Sequence, residues 1–186
     1  PRREAFPDNS VENKFRNTSK YTAECLFDYL KKAKKQSWYK NTLFVLVADH
    51  GHRLPKNTNE IYMHQRYHIP LLMLGGALKT EFKGQTYDKS GSQTDIVPTL
   101  LSQLNIDDSA YPYGNNLFLA NHEGFAFYCW DNGFGLVDRT GAVSFDGLSR
   151  NIILTSPKNR DKRETEKSLS QAKALMQSVF QDYLDK

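Results

Sequence analysis

Between residues 17 and 36 the apolar or small side chains Thr22, Cys25, Leu26, Tyr29, Leu30 and Ala33 recur three and four positions apart, the spacing of one helix face. Asn17, Thr18 or Ser19 can cap its start. The texture then changes. Thr42-Leu-Phe-Val-Leu-Val-Ala48 is apolar and β-rich with no polar alternation, which predicts a central strand covered on both faces, as in an α/β sheet. Ile69-Pro-Leu-Leu-Met-Leu-Gly75 predicts a second buried strand beside it, with Pro70 tolerated near the start. Such neighbours favour parallel pairing through helical crossovers. Residues 51–67 are polar and aperiodic, a loop long enough to carry function.

A second helix is predicted from Ser92 to Leu104: Ser92 and Asp95 have capping spacing, Pro98 sits early, and Ile96, Thr99, Leu100 and Leu104 mark the buried stripe. Asp95 reads as a first-turn carboxylate that favours the helix dipole. After residue 118 come short β-rich runs, Phe125–Trp130, Phe134–Asp138 and Ala142–Asp146, separated by Asp131-Asn-Gly133 and Arg139-Thr-Gly141. They predict an antiparallel meander, with Ile152–Thr155 as one more strand. Glu164–Leu184 closes the chain as an amphipathic helix with Leu169, Ala172, Leu175, Met176, Val179, Phe180 and Tyr183 inward. The expected architecture is α/β with an antiparallel C-terminal extension.

Composition narrows the classes. With 186 residues, 39% hydrophobic and 25% charged, the chain is an ordinary globular one, which excludes disorder, collagen and disulfide frameworks. Its net charge of +4 divides into +5 over residues 1–60, −4 over 61–149 and +3 over 150–186, so no single basic face emerges. The run Lys31-Lys-Ala-Lys-Lys35 lies in a helical pattern and reads as a solvated face, and no nucleic-acid partner is expected. Cys25 and Cys129 form no CxxC pair and are expected to be buried free thiols. No apolar run approaches the ~18–20 residues of a membrane span. The opening, Pro1-Arg-Arg-Glu-Ala-Phe-Pro-Asp-Asn-Ser10, reads as a loop entered mid-course, so the chain is expected to be a fragment.

The densest chemistry follows the first strand. Asp49-His50-Gly51-His52-Arg53 stands at its carboxyl end, the edge where ligands bind in open α/β sheets. A carboxylate oxygen and an imidazole nitrogen held side by side suit a divalent cation of the zinc or manganese kind, and Gly51 lets the backbone turn sharply beneath it. The competing reading is that Asp49 caps the following turn and His50 satisfies it by a hydrogen bond. His52 and Arg53 suit contact with an anionic ester or orientation of a ligand, or are surface-loop residues. His68 either points to the same edge or bonds a carbonyl. Tyr111, Tyr113, Phe125, Phe127 and Trp130 suit a glycan or lipid cleft, or core.

Phe15-Arg-Asn-Thr-Ser-Lys-Tyr-Thr22, Lys40–His52, His68-Ile-Pro-Leu-Leu-Met-Leu-Gly-Gly76 and Ser92-Gln-Thr-Asp-Ile-Val-Pro-Thr-Leu-Leu101 occur in order. Together they resemble the C-terminal half of the sulfatase family catalytic domain, in its lipoteichoic-acid-synthase-like branch of the alkaline phosphatase superfamily. The resemblance covers residues 12–120. It implies that 1–186 is the C-terminal portion of such a domain, with residues 12–120 in an alkaline-phosphatase-like sheet flanked by helices and 121–186 as antiparallel strands and a last helix. It also implies metal-assisted hydrolysis or transfer of a sulfuric or phosphoric ester group, with Asp49 and His50 matching the family's Asp-His metal pair. Manganese or zinc is the expected ion, with calcium and magnesium as further options; His52, Arg53 and His68 are the expected substrate contacts.

The family's nucleophile and remaining acidic ligand lie in the N-terminal half, and neither cysteine sits in a Cys-x-Pro-x-Arg sequence, so no catalytic nucleophile is expected in this chain. The implied partners are that missing half and an anionic ester, either a sulfated glycan or a phospholipid head group. The parent would be membrane-anchored and act outside the cytoplasm, as a sulfatase or as a phosphoglycerol or phosphoethanolamine transferase, with this fragment inactive alone. A non-catalytic module binding an anionic glycan or a protein is the alternative from another class.

Overall fold

A computed structural model of the chain describes residues 5–55, 59–119, 121 and 123–186. Residues 1–4 of the predicted opening loop and 56–58 of the long loop lie outside that set. The fold is mixed α/β, with an antiparallel meander followed by a final helix. It forms two compact units: Pro1–Glu60 with Gln65–Thr86, and Ile61–His64 with Tyr87–Lys186.

In the first unit, helix α1 spans Val11–Ala33. Its cap is Ser10, whose side chain accepts from the Asn13 amide, rather than Asn17, Thr18 or Ser19. Asn17 is used otherwise: its Oδ1 accepts the Ala5 and Phe6 amides and its Nδ2 donates to the Phe6 carbonyl, so the incoming chain is tied to the helix. Of the predicted stripe only Ala33 is buried; Leu26 and Leu30 are half-buried, and Cys25 is exposed, contrary to expectation. Strands β1, Leu43–Val47, and β2, Leu71–Gly75, are neighbours as predicted.

Their pairing corrects the parallel expectation. β1 and β2 run antiparallel, with Leu43 opposite Gly75 and Val47 opposite Leu71, in a two-stranded sheet. A parallel return needs a crossover of a dozen or more residues, usually helical, whereas the described part of this connection holds only the short 3₁₀ turn His64–Tyr67. Nor is the run doubly covered: Leu72 is 54% exposed and Val47 and Leu71 are also exposed. Phe44 instead gathers the local aromatic packing, within 6.0–6.3 Å of the rings of Tyr29, Trp38 and Tyr39.

The second unit carries helix α2, Ile96–Gln103, and strands β3 (Ala126–Trp130), β4 (Gly133–Asp138), β5 (Gly141–Asp146) and β6 (Asn151–Ser156), paired antiparallel in sequence order. Asp95 ends the 3₁₀ turn before α2. Its carboxylate reaches back to the Ser92 amide at 2.7 Å and also accepts the Asn115 amide at 2.8 Å, which ties the helix start to the following loop.

Helix α3, Lys162–Leu184, covers one face of the meander. The core is Phe134, Leu136, Val143 and Ala172, flanked by Phe127, Phe145, Leu169 and Met176. Val179, Phe180 and Tyr183, predicted inward, are exposed on the last turns, and Leu104 is exposed at the end of α2. Where the β4–β5 turn meets α3, the Arg160 guanidinium bonds both Asp138 oxygens, Thr140 and Ser168.

Candidate functional site

Asp49 and His50 leave the carboxyl end of β1 side by side, and both are open to solvent, His50 at 71% and Asp49 at 89%. Asp49 Oδ1 accepts the His50 amide at 3.0 Å, the local cap foreseen as the competing reading. Its other oxygen, Oδ2, lies 3.6 Å from His50 Nε2. His50 Nδ1 is 2.8 Å from the Gly51 carbonyl. A carbonyl only accepts, so Nδ1 carries the proton and Nε2 of the neutral ring is left as an acceptor.

Two acceptor atoms 3.6 Å apart and open to solvent can share one cation. Donors about 2.1 Å from a tetrahedral ion stand roughly 3.4 Å apart, so the 3.6 Å separation is close to one edge of a coordination shell. An imidazole whose far N–H is held by a backbone carbonyl is also oriented as metal-bound histidines are. The pair fits a divalent cation. Among the described residues, however, no group of three or more His, Cys, Asp or Glu side chains is gathered to hold a metal ion.

Gly51 serves a purpose other than a sharp turn. A Cβ there would come within 1.9 Å of the Arg66 carbonyl oxygen, so the glycine admits the backbone of the His64–Tyr67 turn directly behind the pair. His52 stacks on Phe15 of α1, ring centroids 4.9 Å apart and planes 10° from parallel, and its Nδ1 accepts the Leu54 amide at 3.0 Å. On the neutral ring that bond leaves the proton on Nε2, the opposite tautomer to His50. Phe15 as the support of His52 was not foreseen; its place on the helix preceding β1 was the available signal.

Arg53 and His68 are exposed, His68 at the far end of the loop ahead of β2, and neither takes part in the Asp49–His50 pairing. Tyr113, one of the cleft candidates, instead donates its hydroxyl to Asp182 on α3.

A family model for sulfatases matches residues 2–106, more than half of the chain. The chain belongs to the sulfatase family. All five candidate side chains of this sulfatase-family chain, at positions 49, 50, 52, 53 and 68, lie inside the matched span, while the meander and α3 lie beyond it. It is also 27% identical over 128 residues to lipoteichoic acid synthase 1 of Bacillus subtilis (strain 168), a match covering 62% of this chain and 19% of that protein. The chain thus spans about a fifth of the length of that curated relative. No solved structure matches it. No described helix is long and apolar enough to cross a membrane.

Proposed function

We propose that this chain is the C-terminal portion of a sulfatase-type catalytic domain that hydrolyses or transfers a sulfuric or phosphoric ester group. The observation that carries the reading is the facing of Asp49 Oδ2 and His50 Nε2 at 3.6 Å, with the far side of the ring held by Gly51. These two side chains would hold a divalent ion, manganese or zinc, or else calcium or magnesium, with the remaining ligands and the nucleophile supplied by residues outside this chain. Such an ion, when bound, lowers the pKa of the attacking group and offsets charge on the transferred oxyanion.

The chain's own residues have distinct tasks. Asp49 brings a negative charge to the ion, and its bond to the His50 amide fixes the carboxylate against rotation. His52, flat on Phe15 and protonated at Nε2, donates to an ester oxygen; Arg53 beside it and His68 after the loop complete an anion-binding edge. The similarity to a lipoteichoic acid synthase favours transfer of a phosphoglycerol-type group over sulfate hydrolysis, and hence a domain acting on the extracytoplasmic face of the membrane.

The test is turnover by a longer protein that contains this chain, assayed with an aryl sulfate, an aryl phosphate and a phosphoglycerol lipid. Metal-dependent turnover of one or more, lost in His50→Ala, is expected, with none from the 186 residues alone. Robust turnover by the 186 residues, abolished by His50→Ala, would place the nucleophile inside the chain and overturn the assignment of roles.

A further inference from the structure

The hydrogen bond that His52 offers an ester oxygen depends on where its ring points. His52 is exposed and stands on the loop after β1, where an imidazole is ordinarily free to turn about its side-chain bonds. Two contacts restrain it. The Leu54 amide donates to Nδ1 at 3.0 Å, a bond made within the same loop. Phe15 lies against a face of the ring, with centroids 4.9 Å apart and planes 10° from parallel, an arrangement that aromatic pairs prefer. The first contact selects the neutral tautomer with its proton on Nε2, and the second fixes the plane in which that N–H points.

The two restraints differ in what stands behind them. A bond to one ring atom from an amide two residues on moves with the loop and lets the ring rock about it. Phe15 belongs instead to α1, a 23-residue helix. Just before it in sequence Ser10 caps that helix through the Asn13 amide, and just after it Asn17 bonds the Ala5 and Phe6 amides and the Phe6 carbonyl. Phe15, itself half-buried, is thus carried on a capped and tied helix turn. A group of a site keeps its direction when a rigid element of this kind supports it.

We propose that Phe15 is a positioning residue for the ester-transfer site: it holds the plane of the His52 ring so that the Nε2–H keeps one direction toward an ester oxygen. The role rests on the reading of His52 as an ester contact given above. Phe15 acts through His52 and touches neither substrate nor ion. A bond to an oxygen that is not breaking away is made in the ground state and the transition state alike, so its loss falls on KM rather than on kcat.

The test is a double-mutant cycle of Phe15→Leu and His52→Ala in the longer protein containing this chain, with 4-nitrophenyl phosphate as substrate at saturating manganese. Phe15→Leu keeps an apolar side chain without the ring, and Phe15→Tyr keeps the ring. His52→Ala should raise KM about tenfold and Phe15→Leu about fivefold, with kcat changed less than about twofold and Phe15→Tyr near wild type. In the His52→Ala background Phe15→Leu should add nothing. An equal KM rise from Phe15→Leu in both backgrounds would overturn the positioning role, as would a fall in kcat at unchanged KM, the mark of lost folded protein alone. Unchanged KM in His52→Ala would overturn the ester contact itself, and the positioning role with it. Proton–carbon NMR of the histidine-labelled protein reads the stack without turnover: the His52 signal, identified by its loss in His52→Ala, should carry the upfield shift of protons over an aromatic face. That shift should disappear in Phe15→Leu and persist in Phe15→Tyr; a signal indifferent to Phe15→Leu would overturn the support by Phe15.

Discussion

The two sheets make opposite use of similar apolar runs. β3–β6 and α3 close a core of their own: Leu136 and Val143 are 1% exposed and Ala172 fully buried. β1 and β2 are as apolar in sequence, yet they form a two-stranded sheet whose Leu72 is 54% exposed. Two strands alone are marginal in water; a third strand or a covering helix is what makes a sheet independently stable. The difference teaches that the sheet beside the candidate ligands is the less self-sufficient one, whereas the meander with α3 stands on its own packing.

The sharpest way to break the stronger region is Asp138→Ala. It strands the Arg160 guanidinium, whose side chain is 1% exposed, without its carboxylate, and should cost about 3–5 kcal/mol in urea denaturation. Burial pushes the Asp138 carboxyl up, but hydrogen bonds from Ser168 and Thr140 and the Arg160 charge outweigh it, so its pKa is held below the ordinary value. A depressed folded pKa contributes stability that is present above the unfolded value of about 3.9 and lost as pH falls through the folded one. Acid melting should therefore separate wild type from Asp138→Asn above that window and bring them together below it.

Next in size is a matched pair of truncations. Leu136→Ala should cost about 2–5 kcal/mol through lost burial and a cavity, and Leu72→Ala under about 1 kcal/mol, because Leu72 is already half in water. Equal costs in calorimetry would erase the contrast between the sheets.

Periodicity located the helices and strands because it reports which residues share a face, but it is silent on what covers that face. Thr42–Ala48 thus reads as a doubly buried strand although β1 has one partner and partly open faces. The same limit explains Cys25, Val179 and Phe180, apolar by pattern and exposed in the fold. Asp49 and His50 were legible because they are neighbours at a strand end. The stack of Phe15 on His52 was not, since one ring stands on α1 and the other on the loop after β1, and neither position marks the other in the sequence.

The central claim is that Asp49 and His50 are two ligands of a catalytic divalent ion, and calorimetric titration with manganese and zinc tests it most directly. Two protein ligands leave most of the shell to water, so the 186 residues should bind weakly and a longer protein containing them far more tightly. Asp49→Ala and His50→Ala should each abolish the tight phase in the longer protein. A tight phase that survives both substitutions, at unchanged stoichiometry, would contradict the assignment.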